Sequence, residues 1–374
     1  RIGDQTSTYT ADGTSYYLQT SGAYPNASRY IRVSAVNATT PNYLDNSGVA
    51  KSAYTASIPV AQAGGFISAT GDVKDAAKFY DEITSTDTQG LVGTDYTKMI
   101  NLLSNSDDYK FNVLITPGLY DTDYTTQLTS IISNTQNRGD NLFILDPVKH
   151  GMSITDVTSI AASRNTSYAA SYWPWVQVID PDTGRQVWVP ASTLMAGVFA
   201  YNDSVSEPWF APAGINRGGL GQVVRPERKL AQATRDTLYT NKVNPIASFP
   251  GTGVVVYGQK TLQTKSTALD RVNVRRLLIA MKSYIAGVAQ NLVFEQNSAA
   301  TRNNFLAQVN PYLEGIQQKQ GLYAFKVVMD ETNNTADVID RNELIGQIYV
   351  QPTKTAEYIY LDFNVTPTGV AFPA

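Results

Sequence analysis

Three residue types that serine hydrolases use lie in the middle of the chain. Asp146 and His150 are four positions apart, and Ser192 follows in the run Ser-Thr-Leu-Met-Ala. A serine hydrolase needs the serine, the histidine and the acid to converge in space, with the histidine bound to both partners. The sequence lacks the Gly-x-Ser-x-Gly turn that holds the nucleophile in many hydrolases. We therefore expect His150 to be a loop or surface residue, and a serine hydrolase is the weaker alternative.

Two stretches partly match ligand-binding motifs. Residues 251–256 begin like a dinucleotide fingerprint, but Val256 replaces the third glycine and the glycines precede a strand instead of following it. Residues 330–341 resemble a calcium loop, yet Thr335 stands at its sixth position and Arg341 at its twelfth, where glycine and glutamate belong. We expect a tight turn and a polar connection between two strands, and we predict no cofactor.

Arginines form the main basic grouping in the sequence. They are Arg225, Arg228, Arg235, Arg271, Arg275 and Arg276. Because the planar guanidinium binds carboxylates through two hydrogen bonds, we expect structural or intersubunit ion pairs, with a phosphate site as the alternative. The chain has one histidine and no cysteine, which excludes multi-histidine and thiolate metal sites.

Length and charge restrict the class of protein. A chain of 374 residues suggests two or three domains. The net charge is −3 and there is no run of lysine or arginine, so we expect no direct binding of nucleic acid. No apolar run approaches the about 20 residues that a membrane span needs, so we expect no membrane insertion.

Composition and periodicity divide the chain into three predicted domains. Residues 1–105, rich in Ser, Thr, Asn and Tyr, are predicted to form a variable, surface-exposed, mostly-β domain with one helix near residues 73–84. Residues 106–227 are predicted to form an α/β domain. Its buried strands at 111–116 and 141–146, ended by prolines and joined by a helix, favour a mainly parallel sheet.

The third predicted domain, residues 228–374, has an α+β pattern. Apolar residues spaced by three or four predict a long helix from about residue 270 and a second helix that ends before Gly321. The chain then ends in strands. The last strand has a polar face, formed by Tyr358, Tyr360, Asp362 and Asn364, which is a candidate edge for pairing with another subunit.

The segment 207–218, with two prolines and two glycines, fits neither helix nor strand periodicity. It contains no nucleophile, base or usual set of metal ligands, but Trp209 and Phe210 offer a large apolar surface for burial. We predict a rigid junction between the second and third domains. Its candidate residues are Pro208, Trp209, Phe210, Pro212, Gly214, Asn216 and Arg217.

The run PWFAPAGINRG at residues 208–218 resembles the signature of contractile tail sheath proteins of myoviruses and related injection machines. Further motifs occur in the same order as in that family, and the resemblance covers about residues 106–374. They include RGDNLFILDP at 138–147, SYAASYWPW at 167–175, VNPI at 243–246, YGQKTL at 257–262, VNVRRL at 272–277, FEQN at 294–297 and GQIYVQP at 346–352.

The resemblance implies a structural subunit and not an enzyme. Such a subunit polymerises as stacked hexameric rings around the tail tube of a bacteriophage, and the polymer contracts to drive the tube through the host envelope. The implied partners are copies of itself, the tail tube protein, and baseplate and tail terminator proteins, in a virion tail assembled in the host cytoplasm. The sheath of a bacteriocin or secretion-type machine is the alternative.

The resemblance also implies structural details. The second domain is expected to look like a subtilisin-type α/β domain without catalytic function, the third to be the conserved sheath domain, and residues 1–105 to be an outward-facing decoration. Terminal arms join neighbouring subunits of the family by strand exchange. The chain begins at Arg1 without that N-terminal arm, so we expect this fragment to be monomeric, which light scattering that found stable hexamers or tubes would contradict.

Overall fold

The structure is a computed structural model that describes residues 7–11, 14–18, 83–84, 91–92, 96–181 and 184–357. The chain forms two compact units, Arg1–Ser68 and Ala69–Ala374. In the first unit, strands β1 (Ser7–Ala11) and β2 (Thr14–Leu18) pair in antiparallel fashion as a hairpin.

The start of the second unit corrects one prediction. Strand β3 (Ile83–Thr84) pairs in parallel with β4 (Leu91–Val92), so the helix predicted near residues 73–84 is wrong at its last two residues. Both of these residues are β-branched, which favours the extended conformation over the helix. The rest of that predicted helix lies outside the described residues.

A five-stranded sheet organises the second unit. Its strands are β5 (Val113–Tyr120), β6 (Leu142–Asp146), β7 (Ala169–Trp173), β11 (Val243–Phe249) and β12 (Gly253–Val256). The strand order is β12-β11-β7-β6-β5, and every neighbouring pair is parallel except the antiparallel pair of β11 and β12. The predicted mainly parallel sheet is therefore confirmed.

Helices cover both faces of this sheet. They are α1 (Tyr96–Leu103), α2 (Thr125–Arg138), α3 (Ile154–Ser163), α4 (Ser192–Val205) and α5 (Gln232–Thr240). Strand β6 explains why two layers are needed: Phe143 and Leu145 pack with α2 and α3 on one side, and Leu142 and Ile144 pack with α4 on the other. A parallel strand buried on both faces reads as a continuous apolar run, as this one does.

Strand β5 does not end at Pro117 and Gly118 as predicted. It continues to Tyr120, and its register with β6 jumps between Ile115, opposite Ile144, and Tyr120, opposite Asp146. The extra residues bulge out of the ladder, where a proline without an N–H and a glycine at φ 96° are tolerated. The turn residues therefore mark a bulge and not a strand end.

The chain also forms a smaller antiparallel sheet, whose strands lie between β7 and β11 in sequence. It contains β8 (Val176–Ile179), β9 (Gln186–Val189) and β10 (Val223–Pro226), in the order β10-β8-β9. Val176 and Val189 pack into the same core cluster as Met195 and Phe199 of α4. This sheet therefore closes one side of the α/β layer.

The C-terminal part is built on a helical hairpin and a two-stranded ribbon. Its elements are α6 (Val272–Gln290), α7 (Ala299–Gln318), β13 (Leu322–Val328), α8 (Ala336–Asp340) and β14 (Gln347–Pro352). Tyr284 stacks on Tyr312 with 3.8 Å between ring centroids, and Tyr312 donates to the carbonyl of Ala280 at 3.4 Å. These contacts define α6 and α7 as antiparallel neighbours.

Two predictions concern the C-terminal part of the chain. The second predicted domain ends at residue 227, but strands β11 and β12, which come later in the chain, belong to the main sheet. The domain limits therefore stay a prediction. The predicted final strand with Tyr358, Tyr360, Asp362 and Asn364 lies outside the described residues. Among the helices that the structure describes, none is long and apolar enough to cross a membrane.

Candidate functional site

Asp146 and Ser192 form a direct, buried pair. Asp146 ends β6 and Ser192 begins α4, and both side chains are buried. The Ser192 hydroxyl donates to one Asp146 carboxylate oxygen at 2.5 Å, and the Ser192 backbone N–H donates to the other at 3.2 Å. The carboxylate therefore satisfies the first turn of α4, which is a structural capping role.

His150 stands apart from this pair. Its ring packs against Trp175, with 5.6 Å between centroids, and against Trp188, with 4.9 Å. Its Nε2 atom is buried and has no hydrogen-bond partner among the described residues. A hydrolase triad requires the histidine between serine and acid, whereas here the serine binds the acid directly. The geometry of the weaker alternative is therefore not assembled.

The environment of Asp146 changes its proton affinity. Burial raises the pKa of Asp146 to about 7, and the two hydrogen bonds from Ser192 oppose that rise. Desolvation penalises the charged carboxylate more than these two donors compensate. Asp146 is therefore a buried structural acid that can change its charge near neutral pH.

The six arginines have separate partners. Arg271 binds Glu357 through two hydrogen bonds of 2.7 and 2.9 Å, and Arg276 binds Asp203 at 2.5 Å. The other four guanidinium groups lie over aromatic rings, namely Arg225 over Trp188, Arg228 over Trp173, Arg235 over Phe249 and Arg275 over Tyr168. These arrangements are ion pairs and cation–π contacts within the chain, and they do not converge on a phosphate site.

The two partial ligand motifs are turns and connections, as predicted. Phe249 pairs with Gly253 at the end of the β11–β12 hairpin, and Gly251 and Gly253 have positive φ. In the loop after β13, the Asp330 carboxylate accepts the N–H and hydroxyl of Thr332 instead of pointing to a common centre. Within the described ranges, no group of three His, Asp or Glu side chains could hold a metal ion.

Trp209 anchors residues 207–218, which we call the signature segment, in the C-terminal core. It is buried with Leu277 of α6 and Phe305 of α7, and its indole N–H donates to the carbonyl of Lys319 at 3.0 Å. The Trp209 carbonyl accepts a hydrogen bond of 3.2 Å from Asn273. The tryptophan therefore joins the start of α6 to the end of α7.

The second half of the segment binds the edge of the main sheet. Gly214 donates its N–H to the Val256 carbonyl at 2.8 Å, and the Val256 N–H donates to the Gly218 carbonyl at 2.8 Å. Leu220 continues the pattern by donating to Val254 at 2.9 Å. The edge strand β12 is thus covered, which removes an open pairing edge.

The remaining predicted junction residues support this path. Arg217 donates to the carbonyl of Ala211 at 3.1 Å and lies 5.2 Å from the ring centre of Phe210. Pro212 is buried, Pro208 is half-buried and Asn216 is exposed. The segment is therefore fixed by backbone hydrogen bonds and by stacking on its own aromatic ring.

The sequence did not identify three residues that contact Trp209. Lys319 accepts from the Trp209 indole, Asn273 binds its carbonyl, and Gly321 lies so close that a Cβ would be 3.0 Å from the indole nitrogen. Gly321 was recognised only as a helix stop. No local pattern reveals these partners, because they lie 64 to 112 positions from Trp209.

A broad cleft opens beside the segment, with a volume of about 1520 Å³. Phe210 and Arg217 line one side, Tyr257 the sheet side, and Tyr323 and Lys354 the side of the ribbon. The cleft walls therefore come from the signature segment, the edge of the sheet and the C-terminal part. Asp146, His150 and Ser192, the residues of the weaker hydrolase alternative, do not line it.

An α/β layer and a helical hairpin pack against each other, and the segment that contains Trp209 contacts both. The family model described as the phage tail sheath protein central domain matches residues 89–262, and the model of the phage tail sheath C-terminal domain matches residues 264–366. The chain belongs to the phage tail sheath protein family.

Curated relatives carry the same description. The tail sheath protein of Vibrio phage KVP40 is 41% identical over 228 residues, covering 61% of this chain and 33% of the relative. That of Enterobacteria phage T4 is 42% identical over 185 residues, covering 50% and 28%. That of Salmonella phage ViI is 32% identical over 323 residues, covering 80% and 51%. The chain therefore spans about half or less of the length of these relatives.

Solved structures share the fold. The sheath complex of the extracellular contractile injection system PVC in its contracted state has a TM-score of 0.62 and 24% identity, over 73% of this chain and 75% of that one. The contracted helical sheath of the anti-feeding prophage has a TM-score of 0.59 and 24% identity, over 74% and 76%. At this identity the likeness concerns the fold alone.

We predict that Trp209→Ala lowers the free energy of unfolding by roughly 3–5 kcal/mol, the usual cost of truncating a large buried aromatic residue. The indole fills the space between α6 and α7, and its N–H is a partner of Lys319. Chemical denaturation of the variant measures the loss. Phe294→Ala is the control, because that ring is 100% exposed and its removal leaves the core intact. Equal stability of the two variants would contradict the anchoring role.

Two adjacent glycines give a second matched test. A Cβ on Gly218 would approach the carbonyl oxygen of Val256 to 2.8 Å and the Cα of Ala213 to 2.9 Å, whereas a Cβ on Gly219 would meet nothing within 4 Å. We expect Gly218→Ala to destabilise the protein by roughly 1–3 kcal/mol, the usual cost of overpacking, and Gly219→Ala to be nearly neutral. Thermal melts compare them. Two identical melting temperatures would show that the segment does not lie tightly against β12.

The raised pKa of Asp146 predicts a pH-dependent stability. The folded protein holds this proton more tightly than an unfolded chain, in which aspartate has a pKa of about 3.9. The contribution of the protonated carboxyl is therefore complete below about pH 4 and is lost as the pH rises towards 7. Asp146→Asn cannot ionise, so we expect its stability relative to wild type to improve between pH 4.5 and 8 in denaturant titrations.

Asp156→Asn is the control, because the stability contribution of Asp156 should depend on pH in the opposite direction. Hydrogen bonds from Ser153 lower the pKa of the exposed Asp156, so its contribution is present at neutral pH and is lost as the pH falls. The difference between this variant and wild type should therefore shrink towards acid pH. If the difference for Asp146→Asn stays constant with pH, the buried acid does not change its charge in this range.

Proposed function

We propose that this chain is part of the subunit of a contractile tail sheath. In this proposal, copies polymerise as stacked hexameric rings around the tail tube, and the polymer contracts to drive the tube through the host envelope. The observation that carries the proposal is the match of both sheath domain models, over residues 89–262 and 264–366. The subunit acts through packing and is not an enzyme.

The domain arrangement is also a proposal. The main sheet includes β12, which ends at Val256, and the two family models meet between residues 262 and 264. We therefore move the proposed limit between the middle and C-terminal sheath domains from residue 227 to about residue 263. The parallel sheet with helices on both faces supports a subtilisin-like, non-catalytic middle domain, and residues 1–105 are proposed to be the outward-facing decoration.

The signature segment is proposed to be a rigid junction between these two domains. Trp209 packs among α6 and α7, while Gly214 and Gly218 bind the main sheet at Val256. One short segment therefore holds both domains in a fixed relation. A subunit that transmits force needs such a joint, because a loose joint would absorb the displacement that the polymer must pass on.

The C-terminal ribbon is proposed to take part in joining subunits. Strands β13 and β14 form a two-stranded sheet, so each leaves one edge unpaired within the described part of the chain. Glu357, the last described residue, is tied to Arg271 and Gln259 beside this ribbon. Residues Tyr358, Tyr360, Asp362 and Asn364 follow directly, and we propose that they contribute an edge for strand pairing between subunits.

Contraction is proposed to need no cofactor. An extended lattice can be metastable and kinetically trapped, and new contacts between subunits in the contracted lattice then supply the free energy. The proposed partners are copies of the chain, the tail tube protein, and baseplate and tail terminator proteins, in a virion tail assembled in the host cytoplasm. The phage relatives do not favour the alternative of a bacteriocin or secretion-type machine, because the likeness to the PVC and anti-feeding prophage sheaths concerns the fold alone.

Electron microscopy of the protein with its natural termini tests the function. We expect hollow tubes with six-fold symmetry, wide enough to enclose a tail tube, to form at high protein concentration. The control is Trp209→Ala, which should reduce tube formation in proportion to its loss of folded protein. A protein that is fully folded and yet never forms tubes, with or without the tail tube protein, would refute the proposal.

A further inference from the structure

The turn between α6 and α7 exposes an aromatic ring completely. Phe294 is 100% exposed, its neighbour Val293 is 60% exposed, and Phe294 adopts a positive φ of 71°. A bulky residue rarely takes this left-handed conformation, and burying the exposed ring against a partner would be favourable. We call residues 293–295 the tip of the hairpin. Its exposure suggests that the ring is buried in an assembly.

The tip is held in place and is not a loose loop. The Asn297 side chain donates to the carbonyl of Glu343 at 2.8 Å and accepts from the buried Arg302 at 2.8 Å. The Glu295 N–H donates to the carbonyl of Leu292 at 3.1 Å. The backbone that carries Phe294 is therefore held in place, which lowers the entropy lost when a partner binds the tip.

The cleft beside the signature segment is a suitable receptor for such a tip. Its lining includes the rings of Phe210, Tyr257 and Tyr323, together with Ile215. Ile215 is 61% exposed and Tyr323 64% exposed, so large apolar surfaces face water there as well. A volume of about 1520 Å³ accommodates the whole tip and not only one ring. Tip and cleft would therefore each cover apolar surface of the other.

The tip and the cleft lie at opposite ends of the same helical hairpin. Asn273 in the first turn of α6 and Gln317 in the last turn of α7 line the cleft, whereas Phe294 follows the end of α6. At 1.5 Å per residue, helices of 19 and 20 residues separate the two features by roughly 30 Å. The tip of one chain therefore cannot reach its own cleft.

Charges at the two surfaces are complementary. Glu295 directly follows Phe294 at the tip, and the cleft lining carries Arg217, Arg235 and Lys354. Of the two acids in that lining, Glu357 is already paired with Arg271, which leaves Asp236 against three cations. This balance favours an acidic guest and opposes a basic one.

We propose that the Phe294 tip of one copy of this chain inserts into the cleft of the next copy. The proposal rests on the proposed function as a polymerising subunit and assigns one of its contacts. Because the two surfaces differ and lie at opposite ends of the hairpin, the contact is head-to-tail and propagates from copy to copy instead of closing a symmetric pair.

Cysteine crosslinking tests this contact, and these 374 residues give no background because they contain no cysteine. A Val293→Cys chain, which keeps the Phe294 ring and changes a neighbour that is 60% exposed, is mixed with an Ile215→Cys chain in the protein with its natural termini, and a short bis-maleimide is added during assembly. The control replaces Ile215→Cys by Tyr201→Cys on α4, since Tyr201 is 52% exposed and does not line the cleft. We expect a covalent dimer from the first mixture and at most a trace from the control.

The outcomes separate this contact from the proposed function. Tubes that form without a crosslink between positions 293 and 215 refute the tip contact and leave the sheath function standing. A crosslink to the tail tube protein, or equal crosslinking in the control mixture, also refutes it. If no tubes form, the result counts against the sheath function. The crosslink is then measured at the same protein concentration, and its absence there also refutes the tip contact.

A second measurement uses no cysteine. Phe294→Ala should leave the thermal stability unchanged, because the ring is fully exposed. We expect it to raise the protein concentration needed for assembly by about tenfold or more, the loss expected when one aromatic side chain no longer becomes buried. Tyr201→Ala is the matched control and should assemble like wild type. Unchanged assembly of Phe294→Ala would overturn the proposed contact.

Discussion

One short segment takes part in two hydrophobic cores and contacts both the sheet and the helical hairpin, which also pack on each other through Val272 and Ile279 of α6. Trp209 is buried with Leu277 and Phe305 among the helices, while Leu220, eleven positions later, is buried under the sheet. Between them the backbone runs along Val256 as an additional edge partner. Such a segment cannot move without opening one core or breaking main-chain hydrogen bonds in a buried environment, which is costly.

Two buried polar side chains, Asn244 and Asp146, also tie neighbouring elements to each other. Asn244 is fully buried and donates to the carbonyls of Ser171 and Lys260 at 3.1 and 2.7 Å, while its own oxygen accepts the Lys260 N–H at 2.6 Å. Asp146 binds the first turn of α4 in a similar way. A satisfied buried network rigidifies its surroundings. These side chains are used to fix elements to each other, which is why residue types typical of catalysis occur here without forming a catalytic arrangement.

Local sequence patterns predict the parts of this fold that depend on local rules. The run from Leu142 to Asp146 is apolar and bounded by Pro147, and it is a central parallel strand as expected. The predicted end of strand β5 is wrong. Pro117 and Gly118 normally end a strand, but here β6 pairs with the chain on both sides of the bulge. The residue types of the signature segment predicted an anchor. Its partner Lys319 could not be predicted, because it lies 110 positions away and contributes only a backbone carbonyl.

A subunit that belongs to two lattices, as proposed for this chain, must keep its own fold while its neighbours change position. Packed cores are bistable at their interfaces and do not deform continuously, so displacement concentrates where the chain makes contacts with other copies. In the described part of this chain, Trp209 is buried in the core of the hairpin, whereas Phe294 and Ile215 are exposed at its two ends. A change of lattice would then exchange contacts at these ends and leave the interior unchanged.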